Sequence, residues 1–386
     1  MRERQNRAKT DEGPIRKARR KTQGKDSGLS GLPALSSAVA GSQSIGVLYV
    51  VPITLTNSQS SPTPAPFQQM IVVDSAAYAA HEAPNLQNVE FLYPNGTAIP
   101  SWLESGNSNT ATATVYWLKL SGGIPADSSV TVYMGFADVN VNLFSISSHM
   151  HSGLVGEAPE LSPTYAQYDN GRSVFNFYDN FATASSLSSW TYSLPGGSFT
   201  INNGLTVNFA TSGQYFVTTA TYGPGTAFDA SMTYIADTDN VGYVNVNQPG
   251  FGIGGAVWSG AFIRLACGVT YPDQLSAGEV NGCGGGGFGY ILPSEGVTGV
   301  YSVDVLSASS SIQYVGYSMG SSTQPISGQA PNYPSNVGFQ IANCGGGPNC
   351  SGYGNSLSVQ WARVRGAPPN GVMPSVSIGT LEDFHG

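Results

Sequence analysis

The chain has 386 residues, of which 49 are Gly and 20 are Tyr, and only 10% are charged. This composition is typical of extracellular β-proteins, since an average soluble domain carries about a quarter charged residues. Residues 1–25 hold ten Lys and Arg against three acids, which leaves five basic and 20 acidic residues in the rest of the chain. Five cations are too few to neutralise a run of phosphates, so this balance excludes nucleic-acid binding by the folded part.

Residues 1–44 are predicted to be a disordered basic tail that includes a candidate signal region. The stretch from Leu29 to Ala40 passes from weakly apolar residues into an Ala-x-Ala step, which is the shape of a secretory signal cleaved after Ala40. Pro33 interrupts the apolar run, and no stretch of about 18 apolar residues is long enough to span a bilayer. Two explanations stay open: a cleaved signal, or a sequence that does not show the true N-terminus and its anchor. In both cases we expect an extracellular, cell-surface location.

Residues 45–139 are predicted to form a small β-sandwich domain. Pro94 to Thr97 form a hairpin signal, because Asn95-Gly96 tolerates the positive φ of a tight turn. Asn95 also lies in an Asn-Gly-Thr sequon, and Asn349 lies in an Asn-Cys-Ser sequon, so both are candidate N-glycosylation sites of an exported chain. The apolar runs that predict strands are Val47–Val51, Met70–Val73, Asn88–Tyr93, Ala98–Trp102, Ala113–Leu120 and Val130–Phe136.

Residues 140–165 lack a sustained hydrophobic period and are predicted to be a linker. They contain two glycines and two prolines, at Gly153, Gly156, Pro159 and Pro163. Such residues interrupt regular structure and are common between domains. A short ordered stretch around Glu157 is expected to pack on the second domain.

The second domain is predicted to occupy residues 166–380 and to be closed by two strands from its opposite ends. In the opening stretch, residues 174–190, three phenylalanines at positions 175, 177 and 181 alternate with polar residues, which indicates a strand with one buried face. In the closing stretch, residues 356–365, we expect Leu357, Val359 and Trp361 to share one face. Phe175, Trp190 and Trp361 are predicted to be structural.

The opening Asp179-Asn180-Phe181 step and the closing Trp361-Ala-Arg-Val-Arg365 strand resemble the concanavalin-like β-sandwiches of laminarinases, laminin-G-type modules and legume-type lectins. The upstream layout is similar to a family of archaeal surface proteins, whose N-terminal β-domain has no known function and also occurs beside biopolymer-transport proton-channel proteins. The motifs that carry this likeness are Pro66–Met70, Trp102–Glu104, Gly123–Pro125, Gly156–Glu160, Tyr168–Gly171 and Ala367–Val376. The resemblance implies an all-β fold with two β-sandwich domains, the second a concanavalin-like jelly roll.

Glucanases of the concanavalin-like group carry two carboxylates on one strand in an E-x-D-x-x-E pattern, in which one donates a proton and the other attacks the sugar. This pattern is absent from the chain. We therefore expect a protein without enzymatic activity.

A loop at residues 237–240 is a candidate calcium site. Asp237, Asp239 and Asn240 place oxygen ligands at nearby positions, and such ligands converge on a hard cation. The alternative is a plain turn in which these side chains cap backbone groups. Lectin-like sandwiches often hold such a site, so the resemblance favours calcium as the cofactor if there is one.

Four cysteines allow three disulfide connectivities. The two local pairs, Cys267 with Cys283 and Cys344 with Cys350, are the easiest to close and are favoured here. Free thiols in a reducing compartment are the alternative. A zinc site is also conceivable, but no Cys-x-x-Cys spacing and no nearby His supports it.

Exposed aromatic rings near Gly-rich loops are candidate sugar-stacking residues. Trp258, Tyr290 and Tyr243 are the best candidates, although most aromatic residues of a sandwich are core. The sequence thus predicts a non-catalytic, lectin-like or adhesin-like surface protein that binds glycans or envelope proteins. The alternatives are a self-associating structural subunit of an archaeal envelope or filament, and a glycan-active hydrolase.

Overall fold

The computed structural model describes residues 46–145, 153–211, 214–235, 247–255, 259–265, 275–279, 289–291, 298–305, 312–318, 324–328, 336–343 and 351–384. Regular structure in these ranges is almost entirely strand, as the sequence predicted. Helical segments are short: α1 (Gly171–Val174) and four 3-10 turns at Ser75–Tyr78, Leu143–Ser145, Ala184–Ser189 and Pro369–Gly371.

The first sandwich pairs a six-stranded sheet with a four-stranded sheet. The six-stranded sheet has the order β24-β1-β7-β3-β4, with β25 also paired to β1, and the other has the order β2-β6-β5-β8. Apolar side chains from both sheets fill the space between them, among them Ile53, Phe91, Ile71 and Leu118. The strands are β1 (Tyr49–Asn57), β2 (Phe67–Val73), β3 (Val89–Leu92), β4 (Ala98–Ile99), β5 (Ser101–Ser105), β6 (Thr114–Leu120), β7 (Ser128–Phe136), β8 (Val155–Glu157), β24 (Ser375–Ile378) and β25 (Glu382–Asp383).

The predicted hairpin around Asn95-Gly96 is confirmed. Strands β3 and β4 pair antiparallel, with Phe91 opposite Ile99. Gly96 has φ +79°, and Asn95 is exposed and accepts a hydrogen bond from the Thr97 backbone N–H through Oδ1 at 3.1 Å. The side-chain amide thus closes the turn that the sequence indicated.

Two segments lie in the first sandwich although the expected domain limits placed them elsewhere. Strand β8 falls within the expected linker and pairs parallel to β5, with Ser101 opposite Val155. Strand β24 falls within the expected second domain and pairs with β1, with Ile53 opposite Ile378. Val376 and Ile378 pack against the core of the first sandwich. Partial burial of these two side chains stabilises the position of β24 beside β1.

The second sandwich is built from two large antiparallel sheets of a jelly roll. One has the order β11-β12-β23-β14-β19-β20-β21, with β9 also paired to β23, and the other has the order β10-β13-β22-β15-β16-β17-β18. Its strands are β9 (Phe177–Asp179), β10 (Trp190–Ser193), β11 (Ser198–Ile201), β12 (Leu205–Thr211), β13 (Tyr215–Thr218), β14 (Thr226–Ile235), β15 (Asn247–Gly255), β16 (Ser259–Leu265), β17 (Leu275–Glu279), β18 (Gly289–Ile291), β19 (Thr298–Val305), β20 (Ile312–Ser318), β21 (Gln324–Gly328), β22 (Val337–Asn343) and β23 (Ser351–Gly366).

The core of the second sandwich is aromatic on one side and mixed on the other. The sheet that contains β22 contributes Trp190, Phe216 and Phe339. The facing sheet contributes side chains such as Phe228 and Val359. The expected pairing of the opening stretch with the closing strand is confirmed, because β9 runs antiparallel to β23. The opening stretch is not one long strand, however, since α1 and the 3-10 turn at Ala184–Ser189 interrupt it.

A β-bulge in β23 decides which way its side chains point. In the ladder with β14, Ser231 lies opposite Trp361 and the next residue, Met232, lies opposite Val359, so Gln360 is the extra residue. A bulge shifts the alternation of a strand by one position. Leu357 and Val359 therefore face the core, but Trp361 faces outward, and the expectation that these three share one face is wrong.

Replacing Gly338 in β22 by alanine should destabilise the protein severely. Gly338 has φ +150°, and an added Cβ would collide with the carbonyl oxygen of Phe216 and lie 2.7 Å from Val217 Cα. Both obstacles are backbone atoms and cannot rotate away. We expect the free energy of unfolding to fall by about 3 kcal/mol or more in chemical denaturation.

The matched control is Gly96→Ala. Gly96 also has positive φ, but an added Cβ would meet nothing within 4 Å. Its cost should be limited to the backbone strain of about 1 to 2 kcal/mol. Equal losses in the two variants would show that the close approach at Gly338 is not present in solution.

Candidate functional site

The outward face of β23 and its neighbours is polar where it meets the first sandwich. Beyond the bulge, Trp361, Arg363 and Arg365 point away from the second core, because alternate residues of a strand face opposite sides. The adjacent strands β14 and β19 present Asp229, Ser302 and Asp304 on the same face, and all of these side chains are buried. The four-stranded sheet of the first sandwich covers this face, with β2 and β23 in contact. The interface between the sandwiches thus contains buried charges as well as a buried cluster of aromatic rings.

Two arginines and two aspartates form a buried ion-pair network. Asp229 Oδ2 lies 2.7 Å from Arg363 Nε and 2.8 Å from Arg365 Nε, and Arg365 Nη2 lies 3.1 Å from Asp304 Oδ1. Burial opposes the ionisation of Asp229, but Arg365 and Arg363 outweigh it and lower the pKa of Asp229 to about 2. Burial raises the pKa of Asp304, and Arg365 offsets part of that rise. The Ser302 hydroxyl donates hydrogen bonds to both aspartates.

Aromatic rings surround the guanidinium group of Arg363. Its Cζ lies 4.3 Å from the ring centre of Trp117, 4.5 Å from that of Trp361, 4.7 Å from that of Phe175 and 5.4 Å from that of Trp102. A guanidinium stacks favourably on aromatic faces because the π quadrupole attracts a cation. The aromatic cage, defined by these four rings, combines residues of both sandwiches and holds Arg363 at 1% exposure.

Each indole of the aromatic cage donates its N–H to a carboxylate. Trp117 Nε1 donates to Glu104 Oε2 at 2.7 Å, and Trp361 Nε1 donates to Glu160 Oε1 at 3.2 Å. Trp102 Nε1 donates to Asp169 Oδ1 at 2.9 Å. The carboxylates Glu104, Glu160 and Asp169 thus lie around the rim of the cage, and their positions depend on how the rings pack.

Glu104 is ion-paired and partly open to solvent. Arg363 Nη1 lies 2.6 Å from Glu104 Oε2, and the Glu104 side chain keeps 12% exposure. The hydrogen bonds from Arg363 and from Trp117 both end on Oε2. Oε1 is therefore the atom of Glu104 through which this carboxylate can act on a third group.

Glu160 has the properties of a general acid. The residue is exposed, but its carboxyl group lies against Trp361. Burial of the carboxyl raises its pKa to about 7, hydrogen bonds from its own backbone and from Trp361 oppose this rise, and the charges of Asp169 and Glu104 add to it. A group with a pKa near the working pH can both hold and release a proton.

Asp169 and Glu157 anchor the segment that carries Glu160. Asp169 accepts hydrogen bonds from Trp102, the Gly171 backbone, Tyr178 and Asn180, between 2.7 and 2.9 Å. Burial raises the pKa of Asp169, and these donors oppose the rise. Glu157 accepts from the Ser162 hydroxyl at 2.8 Å, and burial raises its pKa. Both carboxylates have structural partners and fix the turn before α1.

Most residues singled out from the sequence lie outside the described residues. This holds for the candidate ligand-binding residues Trp258 and Tyr243, for the candidate calcium ligands Asp237, Asp239 and Asn240, for Asn349, and for the cysteines Cys267, Cys283, Cys344 and Cys350. Tyr290 lies in β18, opposite Ser276 of β17. Within the described ranges, no group of three or more His, Cys, Asp or Glu could hold a metal ion, and no helix is long and apolar enough to cross a membrane.

The sequence patterns did not predict the site at the junction, although its residues lie in the motifs that carry the family resemblance. Glu104 ends the Trp102–Glu104 motif, Glu160 ends the Gly156–Glu160 motif, and Arg363 lies in the closing strand. Each motif was taken as a mark of resemblance that specifies no chemistry. The available signals were a Trp two positions before a carboxylate in the first motif and two carboxylates in the second, but nothing in the spacing shows that the two motifs meet.

Comparison with known proteins finds relatives but no established family. No family model matches the chain. A protein of Sulfolobus islandicus rod-shaped virus 1, "Uncharacterized protein 562", is 31% identical over 364 residues, which cover 84% of this chain and 58% of that protein. The chain therefore spans less than two thirds of this relative.

Solved structures similar to about half of the chain include three that are named for glycan chemistry. They are the Bacillus licheniformis β-glucanase (14% identity, TM-score 0.36, 49% of this chain and 97% of that one), a Mycobacterium marinum β-1,3-glucanase (13%, 0.34, 49% and 98%) and the Crh5 transglycosylase in complex with NAG (14%, 0.33, 51% and 86%). The expected non-catalytic adhesin-like role, and the expected lack of enzymatic activity, are corrected by this finding, since these neighbours are enzymes.

Replacing Arg363 by lysine should destabilise the junction strongly. Lysine keeps the charge but cannot stack flat in the aromatic cage, nor reach Glu104 and Asp229 at once. One of these two carboxylates would then lose its bond to residue 363, and we expect the free energy of unfolding to fall by about 2 to 4 kcal/mol. Chemical denaturation followed by tryptophan fluorescence measures this loss.

Arg172→Lys is the matched control. The Arg172 side chain is 68% exposed and lies 3.8 Å from Asp179, so the pair is weak. Its replacement should change stability by about 0.5 kcal/mol or less. An Arg363→Lys variant no less stable than this control would contradict the proposed packing of the junction.

Proposed function

We propose that the protein is a glycan-active hydrolase whose acid is Glu160. The observation that carries the proposal is an exposed residue whose carboxyl has a pKa of about 7, next to a second, ion-paired carboxylate, Glu104. Two carboxyl groups in contrasting environments are the usual equipment for cleaving a glycosidic bond.

The two carboxyl groups have complementary tasks. Glu160, in its protonated form, gives its proton to the glycosidic oxygen as the bond from that oxygen to the anomeric carbon breaks. A water molecule supplies the hydroxyl group to the anomeric carbon, and Glu104 Oε1 takes the proton that this water releases. Return of that proton through solvent to Glu160 restores both groups, so one water is consumed for each bond cleaved.

The surroundings of the two groups favour this division of tasks. Arg363 and Trp117 both bind Oε2 of Glu104, which fixes the carboxylate and directs Oε1 away from them. Glu160 has no arginine or lysine partner among the described residues and accepts hydrogen bonds only from the Trp361 indole N–H and from its own backbone.

The absence of an E-x-D-x-x-E strand does not conflict with the proposal. That pattern places both carboxylates on one strand, whereas Glu104 comes from β5 and Glu160 from the segment before α1. The fold brings the two together through Trp117, Arg363 and Trp361 instead. The proposed site therefore requires both sandwiches.

Glu160→Gln should abolish hydrolysis. Glutamine keeps the size of the side chain and the contact with Trp361 but cannot release a proton to the leaving oxygen. We expect the rate to fall by about 10²-fold to 10⁴-fold, measured as new reducing ends from a panel of β-glucans, chitin and other polysaccharides.

Glu382→Gln, an exposed carboxylate on β25 in the first sandwich, is the control and should keep the wild-type rate. If the folded wild-type chain cleaves no glycan of the panel, the hydrolase proposal fails and the structural-subunit alternative gains. An active wild type with an equally active Glu160→Gln variant would remove Glu160 from the mechanism.

The rate should also depend on pH through Glu160. The acid acts only while it is protonated, and its pKa is about 7. The rate under subsaturating substrate should therefore fall about tenfold for each pH unit above neutrality. A profile between pH 5 and 9 measures this, and a rate that stays constant from pH 6 to 9 would contradict the assignment.

A further inference from the structure

A second acid lies inside the first sandwich, far from the proposed mechanism. Glu82 belongs to the segment that connects β2 to β3 and is 2% exposed. Among the described residues, no donor meets normal hydrogen-bond geometry with its carboxyl oxygens, although the Ser75 hydroxyl lies close enough to lower its pKa, and the hydroxyl of Tyr116 on β6 likewise has no partner. Buried polar atoms are normally paired, so these three oxygens need an explanation.

The backbone around Glu82 is held in place on both sides. Asn88 Nδ2 donates to the His81 carbonyl at 2.8 Å, and Asn88 Oδ1 accepts from the Ala83 N–H at 2.7 Å. Asn109 Nδ2 donates to the Glu82 carbonyl at 3.2 Å. These bonds fix the backbone on both sides of the Glu82 side chain.

The groups that face Glu82 provide no cation. Ser75 and Tyr78 lie on the preceding 3-10 turn, Tyr116 faces it from β6, and the exposed Asp74 adds a negative charge. Lys119 is the sole Lys or Arg in residues 46–136, and its Nζ donates to the Ser173 carbonyl at the junction.

His81 adjoins Glu82 in the chain, but its ring packs on Tyr49 at 4.4 Å between ring centres. An isolated carboxylate in such surroundings is costly, whereas a neutral carboxyl group is tolerated.

We infer that Glu82 is a proton-controlled latch: while it is a neutral acid, residues 74–88 stay packed against the first sandwich, and when it ionises the segment opens. In agreement, burial raises the pKa of Glu82 to about 7, the Ser75 hydroxyl opposes this rise, and Asp74 adds to it. The segment that opens is the connection between β2 and β3. Strand β2 also contacts β23 of the second sandwich.

The direction of the pH effect follows from the two states. The pKa of Glu82 is about 7 in the closed state and about 4.5 when the side chain is free in water, so closing takes up a proton. The stabilisation by the closed latch is therefore complete below about pH 4.5 and is lost as the pH rises to about 7. Above about pH 7 no further loss is expected from this group.

Hydrogen exchange of the full chain, read by mass spectrometry on peptides within residues 74–88, tests the latch locally. After correction for the intrinsic pH dependence of exchange, the opening of this segment should increase about thirtyfold between pH 5.5 and 8 in the wild type. Glu82→Gln and Glu82→Met, which have no proton to lose, should show no such increase.

Two comparisons separate the latch from other titrations. Glu160→Gln should keep the pH response of residues 74–88, because Glu160 lies at the junction and outside this segment. Glu382→Gln, an exposed carboxylate, should keep it as well. A wild type without the response, or Glu82 variants that retain it, would overturn the inference.

Discussion

The buried guanidinium group of Arg363 is the constraint on which the arrangement of the two sandwiches depends. A cation at 1% exposure must be paired, and its two carboxylate partners come from different sandwiches: Glu104 from the first and Asp229 from the second. Removing either partner would leave Arg363 with one of its two carboxylates, and a buried charge that loses all its partners costs several kcal/mol. The aromatic cage adds cation–π contacts from both sides. The interface is therefore specified by charge and ring geometry, and a shift of one sandwich against the other would disturb both.

Much of this architecture follows from the sequence, but the feature that creates the junction does not. Alternation of apolar residues predicted the strands and Asn95-Gly96 predicted the hairpin, because both signals are local. The bulge at Gln360 leaves no mark on the hydrophobic period, so Trp361 was assigned to the wrong face. The strand Ser375–Ile378 is short and half polar, so its sequence does not predict that it pairs with β1.

The candidate site was harder to predict for the same reason. Glu104, Glu160 and Arg363 lie far apart in the chain, and only the tertiary fold brings them to one place. A search for carboxylates at fixed spacing on one strand therefore found nothing. The motifs around them are distinctive in sequence, but their chemistry depends on indole N–H groups that donate to carboxylates distant in the chain.

Two glutamates of this protein have a pKa near 7 for one shared reason and with different consequences. Burial is the main cause for both Glu160 and Glu82. Glu160 is an exposed residue whose carboxyl group accepts a hydrogen bond from the Trp361 indole, so it can exchange its proton with a bound molecule. Glu82 is enclosed without a described partner, so its ionisation changes the stability of the segment that contains it. The two glutamates therefore differ in their access to solvent and not in their pKa. This access decides whether the carboxyl group can react with a bound molecule or can only change the stability of its own segment.

The most direct test of the account is the pKa of Glu160 in the folded protein, measured by ¹³C NMR of labelled glutamate carboxyl groups. The Glu160→Gln variant identifies the resonance. Burial of the carboxyl group, with the charges of Asp169 and Glu104 adding to its effect, predicts a titration midpoint of about 7. A midpoint near the ordinary value of 4.5 would contradict both the geometry of the junction and the assignment of Glu160 as the acid.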